Sequence, residues 1–171
     1  EKIRVVLEGD ILESNGYFSF FPPKITLFLN QPASRFLGSK HESYLKSLFK
    51  HELTHYFHLN QNVGFARYLR PIFGPATYSL NSFLMPKWWI EGIATYSENA
   101  RGNSNLFALK YEAPIYEEKF FSLAKATYNS PVFPYDRSYI AGYFIVSKLA
   151  QEFGEDKIGE INANCTSFPL K

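Results

Sequence analysis

Two histidines four residues apart, with a glutamate directly after the first, stand in the run YLKSLFKHELTHYFHLN over residues 44–60. Around them Leu45, Leu48, Phe49, Leu53, Tyr56 and Phe57 recur at steps of three and four, which predicts a helix from about residue 41 to residue 60. On a helix, positions four apart share a face about 6 Å apart along the axis, so His51 and His55 can turn two imidazoles toward one ion. The spacing suits tetrahedral zinc, and Glu52 would lie beside the metal without ligating it, placed to take a proton from water. Both histidines lie at one margin of the apolar stripe, where a helix lining a cleft keeps its functional groups. A solvated patch would lie opposite the stripe.

Two histidines leave such an ion one protein ligand short. His58 shares nearly the same face, but two turns separate it from His51 by roughly 10 Å, more than one ion can span on a straight helix. It is read as a hydrogen-bonded histidine of the cleft or the surface. The stronger candidate is Glu91 in PKWWIEGIATYSE, which follows two tryptophans and precedes Gly92, a residue that permits close approach of another backbone. Taken alone, Glu91 would be a solvated helix carboxylate; beside HELTH it is read as the third ligand. Glu98, seven residues on, faces the same way and is either solvated or a carboxylate that orients a ligating histidine.

The rest of the chain sets the frame. IRVVL, YFSFF and ITLFLN predict three strands within a strand-rich region over residues 1–35. GFARYLRPIFGPATYSLNSF reads as broken helix and loop, because Gly64, Pro71, Gly74 and Pro75 interrupt it. Helices are expected over 86–101, over about 114–128, over 136–154 with Asp136 as N-cap and Gly154 as terminator, and over a weaker last run, EDKIGEINAN. Strands first and helices afterwards predict an α+β fold in one domain spanning 1–171, read as a piece of a longer protein. The hydrophobic share of 46% supports one core. A net charge of +2 without a basic stripe argues against nucleic acid. No run approaches a membrane span. Cys165 is the sole cysteine, which excludes an intrachain disulfide and a Cys-rich zinc module; it is expected half-buried.

Three stretches together resemble the gluzincin zinc metallopeptidases of the peptidase MA clan, in particular the aminopeptidase N-like branch. They are His51-Glu52-x-x-His55, then Pro86-x-Trp88-x-x-Glu91-Gly92-x-Ala94-x-Tyr96-x-Glu98, then Tyr139-x-x-Gly142 at the start of a helix. The resemblance covers most of residues 41–154 and implies a zincin-type catalytic domain. It implies zinc ligands His51, His55 and Glu91, general base Glu52, Glu98 behind a ligand, and Tyr139 as transition-state donor. It also implies a peptide or protein substrate, further domains in the full-length protein, an exported or cell-envelope bacterial setting, and ITLFLN at the substrate-facing edge of the sheet.

The chain departs from that branch in three ways. The Gly-x-Met-Glu-Asn signature that grips a free N-terminus is absent, which shifts the expectation from aminopeptidase to endopeptidase. Thirty-five residues separate His55 from Glu91, more than the branch has, so an inserted loop is expected to shape the cleft. The family's helical C-terminal part is missing. Two other readings remain open at the level of sequence: a zinc-stabilised domain that holds a peptide or protein without cutting it, and hydrolysis of a non-peptide bond.

Overall fold

The computed structural model describes residues 2–30, 44–99, 121–128 and 135–166. Its fold is α+β, mostly helical with a small N-terminal sheet. Three strands, β1 (Arg4–Glu8), β2 (Gly16–Phe20) and β3 (Pro23–Phe28), take the order β1-β3-β2, with β1 parallel and β2 antiparallel to β3. The run Ile25–Phe28 is continuously buried, which is the burial of a central strand rather than an edge. The expectation that ITLFLN forms the substrate-facing edge is therefore corrected. Among the described residues β1 and β2 are the edges, and β2 packs on the first helix.

The helices follow as α1 (Tyr44–Leu59), α2 (Gly64–Phe73), a 3-10 turn (Gly74–Thr77), α3 (Tyr78–Leu84), α4 (Lys87–Glu98), the single turn α5 (Leu123–Ala126), α6 (Arg137–Phe153) and α7 (Glu155–Thr166). The interrupted segment is thus two ordered helices. Pro71 removes one backbone donor inside α2, and Gly74 at φ 56° ends it. Most of the helix expected over 114–128 lies outside the described residues, as do residues 100–101 beyond the end of α4. Asp136 occupies the N-cap position of α6 without a capping hydrogen bond from its side chain, while Gly154 at φ 87° terminates that helix as expected. Cys165 is exposed rather than half-buried.

The core gathers Leu59, Met85, Trp89, Tyr96, Tyr143, Val146 and Ile158, from α1, α4, α6 and α7 and the residue that follows α3. Its tightest seam is between α4 and α6. A Cβ added to Gly92 would meet Gly142 Cα at 2.5 Å, and one added to Gly142 would collide with the carbonyl oxygen of Trp88. Two facing glycines let these backbones touch. The contact holds Tyr139, one turn before Gly142, over the stretch of α4 that carries Glu91.

Candidate metal centre

Helix α1 turns His51, Glu52 and His55 inward. His51, Glu52 and His55 are 7%, 5% and 9% exposed, which removes the reading of HELTH as a solvated patch. Burying three ionisable side chains on one helix is costly unless they are paired or hold an ion. Helix α4 packs against α1 and brings Glu91 to the histidines.

The three candidate ligand atoms form a nearly equilateral triangle. His51 Nε2 and His55 Nε2 are 3.1 Å apart, and Glu91 Oε2 is 3.4 Å from each. Metal bonds of about 2.0–2.1 Å at tetrahedral angles place neighbouring ligand atoms about 3.3 Å apart, so the triangle has the dimensions of one face of a zinc coordination tetrahedron. Buried Glu91 Oε2 has no hydrogen-bond partner. An acceptor left bare at the centre of the cluster fits a metal ion, and so does the donor set of two imidazoles and a carboxylate.

The electrostatics favour a cation at this point. Burial opposes charge on His51, but the carboxylates of Glu91 and Glu98 outweigh it and push its pKa up to about 10. Burial would likewise raise the Glu91 carboxyl, yet the His51 and His55 rings hold it well below the ordinary carboxylate range. Without a metal, the site keeps a proton on His51 between two carboxylates. A divalent ion would take over that positive charge and release the proton.

The outer partners orient the candidate ligands. Glu98 Oε2 lies 3.1 Å from His51 Nδ1 and holds a proton there, so the proton that a metal would displace is the one on Nε2, facing Glu91. Ser47 Oγ donates to Glu98 Oε1 at 3.1 Å. Ser47 was not singled out from the sequence, although it lies one helical step of four before His51, in the row that also holds His55.

Glu52 and Tyr139 flank the triangle. Burial raises the Glu52 pKa, the neighbouring histidines oppose the rise, and the backbone N–H of Phe18 in β2 donates to its carboxylate. The Phe18 ring also packs on Tyr56 of α1, at 5.7 Å between centroids. The Tyr139 ring stacks on His51 at 5.9 Å and 22°. Its hydroxyl is in hydrogen-bonding contact with the Glu91 carboxylate, and burial followed by the negative charge of Glu91 raises its pKa, so the phenol remains a donor.

His58 does not join the cluster. It is buried and hydrogen-bonded through Nε2 to Asn162 Oδ1, which also accepts from Trp89 Nε1 at 3.2 Å. The surface alternative for His58 is thereby removed. Asn162 lies 104 residues from His58, a separation at which sequence offers no local signal. Asn81 acts similarly, donating to the carbonyls of Leu59 and Gln61 at 2.8 and 3.1 Å and closing the end of α1.

Comparison with protein-family models, curated proteins and solved structures finds no match. The functional reading accordingly rests on the residues and their geometry.

Proposed function

We propose that this chain is a gluzincin-type zinc metallopeptidase that cuts within peptides. The observation that carries the proposal is the triangle of His51 Nε2, His55 Nε2 and Glu91 Oε2, with edges of 3.1–3.4 Å and a buried carboxylate and a half-buried phenol on its flanks. Zinc held there supplies a Lewis acid that polarises a carbonyl and makes water acidic near neutral pH.

The chain's own residues do the rest. Glu52, with its affinity for protons raised by burial, takes the proton of the attacking water and delivers it to the leaving amine nitrogen. Tyr139 donates its hydroxyl hydrogen to the oxyanion that develops on the carbonyl oxygen. The β2 edge gives an extended substrate a place to lie. Phe28 N–H donates to the Asn15 carbonyl, so the paired positions continue at Tyr17 and Ser19 while Gly16, Phe18 and Phe20 turn their peptide groups away from β3; the Gly16 N–H is taken by Asn15 Oδ1 and the Phe18 N–H by Glu52, so an added strand would pair there through the carbonyls. Because Phe18 also contacts Glu52, a peptide adding along that edge runs past the candidate base.

The deciding experiment is a cleavage profile of mixed blocked and free peptides with wild type and Glu52→Gln, each with its zinc content measured. Glu52→Gln is expected to retain zinc and lose nearly all hydrolysis, and blocked peptides should be cut internally at least as well as free termini are trimmed. Equal cleavage by both zinc-loaded proteins would remove Glu52 as the base. A folded, zinc-loaded wild type that binds peptides and cuts none would leave the binding-domain reading in its place.

A further inference from the structure

Helix α2 is amphipathic, but its apolar face is turned away from the core. Ala66 is its only buried residue, while Phe65, Tyr68, Ile72 and Phe73 are 41%, 66%, 74% and 60% exposed. At 100° per residue, Tyr68, Ile72, Phe65 and Phe73 span one continuous arc, and Arg70 and Arg67 occupy the other side. Helix α3, joined to α2 through the 3-10 turn, adds Phe83 and Leu84 at 84% and 40% exposure. An exposed apolar surface of this density on one continuous segment marks an interaction site.

The charge along this segment points to the partner. The 38 residues between Glu52 and Glu91 contain no Asp or Glu, although the chain's frequency of 16 in 171 would place three or four there. The same stretch carries Arg67, Arg70 and Lys87. A twofold contact between copies would set this patch against itself and oppose like charges. An anionic, apolar surface meets both properties: aromatic and aliphatic side chains enter the boundary between headgroups and acyl chains while exposed Arg67 reaches the phosphates. No helix among the described residues is long and apolar enough to cross a membrane, so the contact lies in the plane of the surface.

We propose that the α2–α3 face docks on an anionic lipid bilayer. The proposal stands independently of catalysis at the metal centre. It is tested by co-sedimenting the full 171-residue chain with phosphatidylcholine vesicles, with and without phosphatidylglycerol, at low and high salt. Binding is expected to vesicles containing phosphatidylglycerol, to weaken with salt, and to fall about tenfold or more in Ile72→Ser/Phe73→Ser, whose exposed positions leave the thermal melt unchanged. Arg67→Gln should lower binding about fivefold on anionic vesicles and leave neutral vesicles unaffected. No vesicle binding by the folded chain, equal binding to neutral and anionic vesicles, or unchanged binding by both variants would overturn the proposal. A dimer in solution that the Ile72→Ser/Phe73→Ser change dissociates would assign the face to a second copy instead.

Discussion

Tyr139 combines two properties that a substitution can separate: a ring stacked on His51 and a hydroxyl directed at the Glu91 carboxylate. Tyr139→Phe keeps the ring, so folding and zinc content should stay unchanged while kcat falls by about two to three orders of magnitude, the usual loss for one oxyanion donor. Steady-state kinetics on zinc-loaded protein checks this, with KM little altered; a rate near wild type would leave the ring as packing alone. Glu98 calls for a different readout, because it touches His51 rather than substrate. Glu98→Ala frees His51 Nδ1 and should weaken zinc binding about 10- to 100-fold in a chelator competition. Ser47→Ala, which removes only a hydrogen bond to Glu98, should weaken it less.

At the scale of elements, the site depends on three contacts: α1 on α4, α4 on α6, and β2 on α1. The second is the most exacting, since Gly92 and Gly142 leave no room for a methyl group between backbones. Gly142→Ala must push α6 away from the Trp88 carbonyl, a rigid neighbour, and overpacking of this kind costs about 1–3 kcal/mol. Urea denaturation should record that loss. Zinc affinity should fall with it, because α4 carries Glu91 and shifts against α1. The α2–α3 segment stands apart from this seam, so changes on its outer face should leave zinc binding intact.

Across the described residues, the buried His58–Asn162–Trp89 network ties α1, α7 and α4 together behind the candidate metal centre. Asn162 Oδ1 accepts from His58 Nε2, leaving Nδ1 buried without a partner. Desolvation therefore outweighs the Asn162 contact, and with the neighbouring His55 it lowers the His58 pKa to about 4. The unfolded chain takes up a proton near pH 6.5, whereas the folded one does not until about pH 4. Stability from a neutral His58 is thus complete above pH 6.5 and declines as pH falls toward 4, by roughly 3 kcal/mol in all. Thermal melts from pH 7 to 4.5 should show a shallower decline in His58→Gln than in wild type, although the variant starts lower. Parallel slopes would mean that His58 is charged or solvated in the folded chain.

The sequence by itself determined what is local. Helical period placed His51 and His55 on one face with Glu52 beside them, alternating and apolar runs placed the strands, and Gly154 marked the end of α6. Spacing also kept His58 out of the ligand set, because 1.5 Å of rise per residue is a property of any helix. The tertiary structure decided everything that depends on which elements touch. It put β3, expected at the substrate-facing edge, at the centre of the sheet, since strand order follows from pairing between segments distant in sequence. It supplied Phe18 to Glu52, Ser47 to Glu98 and Asn162 to His58, contacts whose partners lie 34, 51 and 104 residues apart. It also turned the apolar arc of α2 outward, where periodicity predicts that such an arc faces a core. A period reports that a face exists; only the packing of the other elements settles what that face meets.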